Sequence, residues 1–131
     1  MAPTGAGTRT AQLGTVTVTA AGSLGFFLPS FTATASSTRF TTGGGTPAET
    51  VSNSAISYWS GPVTTFTGLQ TSVPGQMSAS QAQVLSTPRI AFSASGLILS
   101  ITTSWDPTIV VHIPAAVVAG TYGGTITHSV A

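Results

Sequence analysis

The sequence predicts an all-β protein: an antiparallel two-sheet, Ig-like β-sandwich of about seven to nine short strands. Three observations carry this. Apolar and hydroxyl residues alternate strictly in several segments, turn signals recur roughly every 8 to 12 residues, and no segment of useful length has a helical period.

Thr15 to Ala20 puts Val16, Val18 and Ala20 on one face and three threonines on the other, the pattern of a half-buried strand. Phe31 to Ala35 repeats it with Phe31, Ala33 and Ala35 inward, and the glycines Gly22 and Gly25 between the two predict a hairpin. Gly43-Gly44-Gly45-Thr46-Pro47 is too permissive for regular structure and predicts a loop. Ala55 to Trp59 reads as a short strand ending at Gly61-Pro62, and Val63 to Leu69 as another. Val73-Pro74-Gly75-Gln76 predicts a turn, and Gln81 to Leu85 a strand. Ile90 to Ala94 alternates, and Leu97 to Trp105 places Leu97, Leu99, Ile101, Thr103 and Trp105 on one side before Asp106-Pro107 ends it. Thr108 to Ile113 is a nearly continuous apolar strand. Thr121 to Val130 closes the chain with Tyr122, Ile126 and Val130 facing one way. The domain is expected over residues 13–131, with 1–12 a flexible N-terminal segment.

Charge narrows the function. The 131 residues hold three Arg, no Lys and two acidic residues, for a net charge of +1, so no field draws phosphates and nucleic acid is excluded as a partner. The polar surface falls instead to 24 Thr and 17 Ser, whose hydroxyls hydrate a strand face without charge. With no cysteine there is neither a disulfide framework nor a thiolate metal site. The longest nearly apolar run, Ile109 to Gly120, is too short for a spanning helix and contains His112 and Pro114. The opening Met1-Ala2-Pro3-Thr4-Gly5 carries no signal peptide and reads as a start residue ahead of a mature exported sequence.

Catalysis finds little support. Asp106, His112 and a serine lack a Gly-x-Ser-x-Gly elbow. Glu49 and Asp106, the only carboxylates, sit in a Gly-rich loop and an Asp-Pro turn. His112 and His128 have no third His or Cys to complete a zinc site, and His128 is expected at the core edge, hydrogen-bonded there. The expectation is a non-enzyme without cofactor or metal. Trp59 and Trp105 read as packing anchors, and Arg9, Arg39 and Arg89 as isolated surface residues, with Arg39 a candidate partner of Glu49.

The closing stretch Pro114 to Val130, with Ala119-Gly120-Thr121-Tyr122-Gly123-Gly124-Thr125-Ile126-Thr127, resembles the last strand of secreted cell-surface β-sandwich domains of Gram-positive, especially actinobacterial, bacteria, akin to the WxL type. Leu13 to Val18, Thr41 to Thr50, Tyr58 to Pro62 and Trp105 to Thr108 are similar to phrases of that group. The resemblance implies an exported, surface-associated, non-catalytic module, often part of a larger assembly. Neither Trp59 nor Trp105 is followed by x-Leu, so the wall-binding motif is missing and peptidoglycan binding is not implied.

The least ordinary segments are Leu24-Gly25-Phe26-Phe27-Leu28-Pro29, apolar where turns are polar, and Gly96 to Leu99, apolar on both faces. Burying a side chain such as Phe26 or Leu28 is worth about 1.5–3 kcal/mol, so something should cover them. Either the loop folds back as a lid on the core, or Leu24, Phe26, Phe27 and Leu28, joined by Ile98, form a contact patch. The expected partner is another protein or a second copy of the chain; a membrane or a hydrophobic ligand is the alternative for such a tip.

Overall fold

The structure, a computed structural model, describes residues 7–22, 28–97, 100–114, 117 and 120–131. Among these the protein is all-β, with thirteen strands: β1 (Gly7–Gln12), β2 (Val16–Ala21), β3 (Ser30–Ser37), β4 (Phe40–Thr41), β5 (Thr50–Val51), β6 (Ile56–Trp59), β7 (Val63–Thr67), β8 (Gln70–Pro74), β9 (Gln83–Val84), β10 (Arg89–Gly96), β11 (Ser100–Trp105), β12 (Thr108–Ile113) and β13 (Ile126–Val130). Three single turns of 3₁₀ helix, Pro47–Glu49, Asn53–Ala55 and Ala79–Gln81, interrupt them.

All pairing is antiparallel, in four sheets ordered β1-β12-β6-β9, β13-β3-β10-β8, β2-β11-β7 and β4-β5. The first and third run on from each other, since β1 leads into β2, β6 into β7 and β11 into β12, and the strands keep the same order on both sides. The interruption falls at residues 13–15, 60–62 and 106–107, where glycine and proline gather. It is tied across by Leu13 N–H donating to Pro107 C=O (3.0 Å) and by Thr15 Oγ1 donating to Asp106 Oδ1 (2.7 Å). Gly14, at φ +82°, supplies a backbone conformation that L residues avoid. Before it Ala11 and Leu13 point toward the core, and after it Val16, Val18 and Ala20 do, so the alternation changes phase there.

The core lies where the inner residues of β3 and β10 meet those of the interrupted sheets. Phe31, Ala33, Ala35, Phe92 and Ala94 are buried against Ile56, Tyr58, Ile101, Trp105, Ile109, Val111 and Ile113. The Trp105 indole stacks on Phe92 at 4.8 Å and on Phe31 at 6.3 Å between ring centres, within the range where aromatic pairs add to simple burial.

Several expectations change. The segments over 15–20 and 31–35 are strands with the expected inward residues, but they do not form a hairpin. β2 pairs with β11, and β3 with β10 and β13. The segment expected to be flexible over 1–12 is, at Gly7–Gln12, a strand paired with β12 over six residue pairs, while residues 1–6 lie outside the described residues. The turn expected at Val73-Pro74 begins one residue later, because β8 continues through Pro74 opposite Phe92. β8 is an edge strand, where a missing N–H does no harm to the ladder. Gly75 follows, its N–H bonded to Ala91 C=O at 2.9 Å, and a side chain there would collide with the Ile90 carbonyl. Of the strand expected over 81–85, Gln83–Val84 remain, preceded by a 3₁₀ turn.

Candidate functional site

Six strand termini converge at one end of the molecule. Ala21 pairs with Ser100, Ser30 with Ser95, Gln70 with Gly96 and Thr67 with Thr102, so the β2–β3, β7–β8 and β10–β11 connections emerge side by side. Gly96 N–H donates to Pro29 C=O at 2.8 Å, and Leu97 N–H to Leu69 C=O at 2.9 Å. Beneath them the Gln70 amide closes the end of the core. Its Nε2 donates to the carbonyls of Thr67 (2.8 Å) and Thr102 (3.0 Å), and its Oε1 accepts from the buried Thr103 hydroxyl (2.7 Å).

On this base three leucines stand in solvent: Leu28 at 60%, Leu69 at 64% and Leu97 at 72% exposure. Pro29, next to Leu28, is fully buried and anchors the segment. The described residues of this end, Ala21, Gly22, Leu28 to Ser30, Thr67 to Gln70, Ser95 to Leu97 and Ser100, carry no charge. Of the contact residues expected from the sequence, Leu28 is thus exposed, and Leu24, Phe26, Phe27 and Ile98 lie outside the described residues. Leu69 was not expected. The signal for it was an apolar residue directly after Gly68, which takes φ +85° in the β7–β8 turn.

A second feature lies along one side. An open cleft of about 390 Å³ separates the edge strands β1 and β13 and is lined by Ala11, Leu13, Ile109, Phe40, Ile126 and His128 among others. His128 closes its inner wall through a hydrogen-bonded relay. Trp105 Nε1–H donates to Tyr58 Oη at 3.0 Å, and Tyr58 Oη lies 2.8 Å from His128 Nε2. The indole can only donate, so the buried phenol satisfies its own proton by giving it to Nε2, which makes His128 neutral with its proton on Nδ1. Burial acts in the same direction, pushing the Tyr58 phenol up to about 12 and holding the His128 imidazole below its ordinary value. The relay joins three sheets, with Tyr58 on β6, Trp105 on β11 and His128 on β13.

The other chemically capable groups are spoken for locally. The Glu49 carboxylate accepts from the Thr46 hydroxyl (2.7 Å) and from the amides of Thr46 and Gly44 (both 3.3 Å). These bonds, the Thr46 hydroxyl first, hold it below the usual carboxylate range. Asp106 accepts from Thr15, in its expected turn. Among the described residues no ion pair joins Glu49 to Arg39, and Arg89 Nε instead donates to Val84 C=O at 2.8 Å. His112, exposed on β12, and His128 belong to different sheets. Trp105 is a fully buried anchor, and Trp59 is half-buried at the end of β6. Among the described residues Gln76 Oε1 is the one buried side-chain polar atom without a partner, while its Nε2 bonds Gln83 Oε1 and Ile90 C=O.

No helix among the described residues is long and apolar enough to cross a membrane. Comparison with protein-family models, with curated proteins and with solved structures gives no match.

Proposed function

We propose that the protein is a non-catalytic, exported surface module of Ig-like β-sandwich form that works by contact with other protein surfaces. The sandwich reading is supported by the shared strand order of the two end-to-end sheets and by the stacking of Trp105 on Phe31 and Phe92 of the sheet facing them. Export is supported by the near absence of charge and by the resemblance of the closing strand to secreted surface domains.

The observation that carries the contact reading is the uncharged end bearing Leu28, Leu69 and Leu97. Single exposed leucines are ordinary on a protein surface, but three on adjoining connections make an apolar patch of the kind that marks an interaction site. A protein partner suits this patch better than a lipid surface. Membrane-docking tips draw on Trp, Tyr, Lys or Arg at the headgroup level, whereas Trp59, Trp105, Tyr58 and Tyr122 lie elsewhere and the described residues of this end hold no cation.

The test is a Leu28→Ser/Leu69→Ser/Leu97→Ser variant compared with the parent chain in light scattering over a dilution series and in co-sedimentation with neutral and anionic vesicles. Association that the triple variant loses while keeping its melting temperature supports the proposal. Vesicle binding instead would transfer the patch to the membrane reading, and identical behaviour of the two chains in both assays would overturn it.

A further inference from the structure

The ladder between β13 and β3 fixes which backbone groups of β13 are turned outward. Thr32 and Ala131 exchange both N–H to C=O bonds, at 3.1 and 3.0 Å, and Thr38 N–H reaches Thr125 C=O at 3.0 Å. In an antiparallel ladder such pairs alternate, so Thr127 and Ser129 also bond inward to β3. Ile126, His128 and Val130 therefore direct their N–H and C=O groups away from the sheet, along an edge that no other strand covers among the described residues.

Edges of this kind are normally guarded by charge or proline. β1 carries Arg9 and β8 ends in Pro74, but β13 has neither. Its side chains alternate as well. Ile126 and His128 line the cleft between β13 and β1, and Val130, the next residue on that face, is 54% exposed.

We infer that the outer edge of β13 is a self-pairing surface, on which the β13 of a second copy docks antiparallel about a twofold axis at His128. The pattern of the strand selects this occupant. In that register Ile126 of each copy meets Val130 of the other, Thr127 meets Ser129, and His128 meets its equivalent, so apolar groups face apolar groups, hydroxyls face hydroxyls, and no ionised side chain is brought against another. The exposed Val130 is delivered beside Ile126 at the mouth of the cleft. The sheet β13-β3-β10-β8 then continues into its twin as eight strands. A twofold pairing closes on itself and leaves β8 at both ends, where Pro74 discourages further growth.

The inference rests on the contact reading above in taking association as the protein's task, but it uses a different surface. The test is sedimentation of the parent chain, Val130→Pro and Val130→Lys over a dilution series. The proline removes one outward N–H and leaves the β3 ladder whole, and the lysine sets a charged side chain against Ile126 of the other copy in place of an apolar one. The parent chain should form a dimer, and each variant should weaken it by about tenfold or more while circular dichroism and melting stay unchanged. If Val130→Pro disturbs the fold, Val130→Lys and amide exchange decide. In the parent chain, protection at the amides of Ile126, His128 and Val130 should grow with protein concentration. A parent chain that stays monomeric at all concentrations, or a dimer indifferent to both substitutions, overturns the inference. The triple leucine variant run alongside separates the two proposals: association lost only there removes the β13 pairing and keeps the contact reading, and association lost only in the Val130 variants does the reverse.

Discussion

Trp105 donates its indole N–H to the Tyr58 hydroxyl at 3.0 Å, joining two strands, β11 and β6, that belong to different sheets. The pair is buried, so the bond cannot be exchanged for one to water, and the phenol spends its proton on His128. A polar relay in an aliphatic core is costly when incomplete and specifying when complete.

Removing the middle of that relay should therefore cost more than one ordinary hydrogen bond. Tyr58→Phe keeps the ring but strands the indole N–H and deprives His128 Nε2 of its donor. The expected loss is about 1–3 kcal/mol of unfolding free energy in a urea titration, with an unchanged denaturant slope.

Acid should act through the same relay. His128 is held below its ordinary value by burial, so the unfolded chain takes up the proton more readily than the folded one. Its contribution is fully present above the unfolded value of about 6.5 and is lost as pH falls through the lower folded value. Glu49, also depressed in the folded state, adds a second loss only below its ordinary value of 4.5. Melting temperature recorded against pH should show the first decline in the parent chain and a shallower one in His128→Gln.

Gly123 and Gly124 offer a paired comparison. A methyl at Gly124 would run into the Phe40 ring, whereas one at Gly123 meets nothing within 4 Å. Gly124→Ala should destabilise by about 1–3 kcal/mol through overpacking, and Gly123→Ala should stay within about 0.5 kcal/mol in the same titration.

At the leucine end, exposure and burial should separate in the same way. Leu97→Ser should leave stability within about 0.5 kcal/mol, because the side chain is already in water. Thr103→Val, nearly isosteric, orphans Gln70 Oε1 and should cost about 1–3 kcal/mol. Equal effects of the two substitutions on thermal melting would contradict the account of this end given above.

Strand faces were legible in the sequence, and strand partners were not. Val18 inward with Thr17 and Thr19 outward, or Ile101, Thr103 and Trp105 on one side, follow from alternation, which is local. That β2 pairs with a strand some eighty residues later, and not with its neighbour β3, leaves no local trace. β1 was illegible for another reason. Gly7-Thr8-Arg9-Thr10-Ala11-Gln12 has almost no apolar face, and β12 alone, by offering an edge, makes it a strand. The place of His128 at the core edge followed from the face it shares with Ile126, but its partner Tyr58, seventy residues away, did not. The leucine end was half legible. Leu28 stood out as an apolar turn residue, whereas Leu69 gains its meaning only when three connections meet.

The phase change at Gly14 makes the spacing between β1 and β2 more consequential than its composition. Deleting one residue between Leu13 and Val16 would turn the following strand half a revolution, presenting Thr17 and Thr19 to the aromatic interior and Val18 to water. Segments of the same composition but different length would thus encode inside-out versions of β2, and the reading frame of this face is kept by a count of three residues.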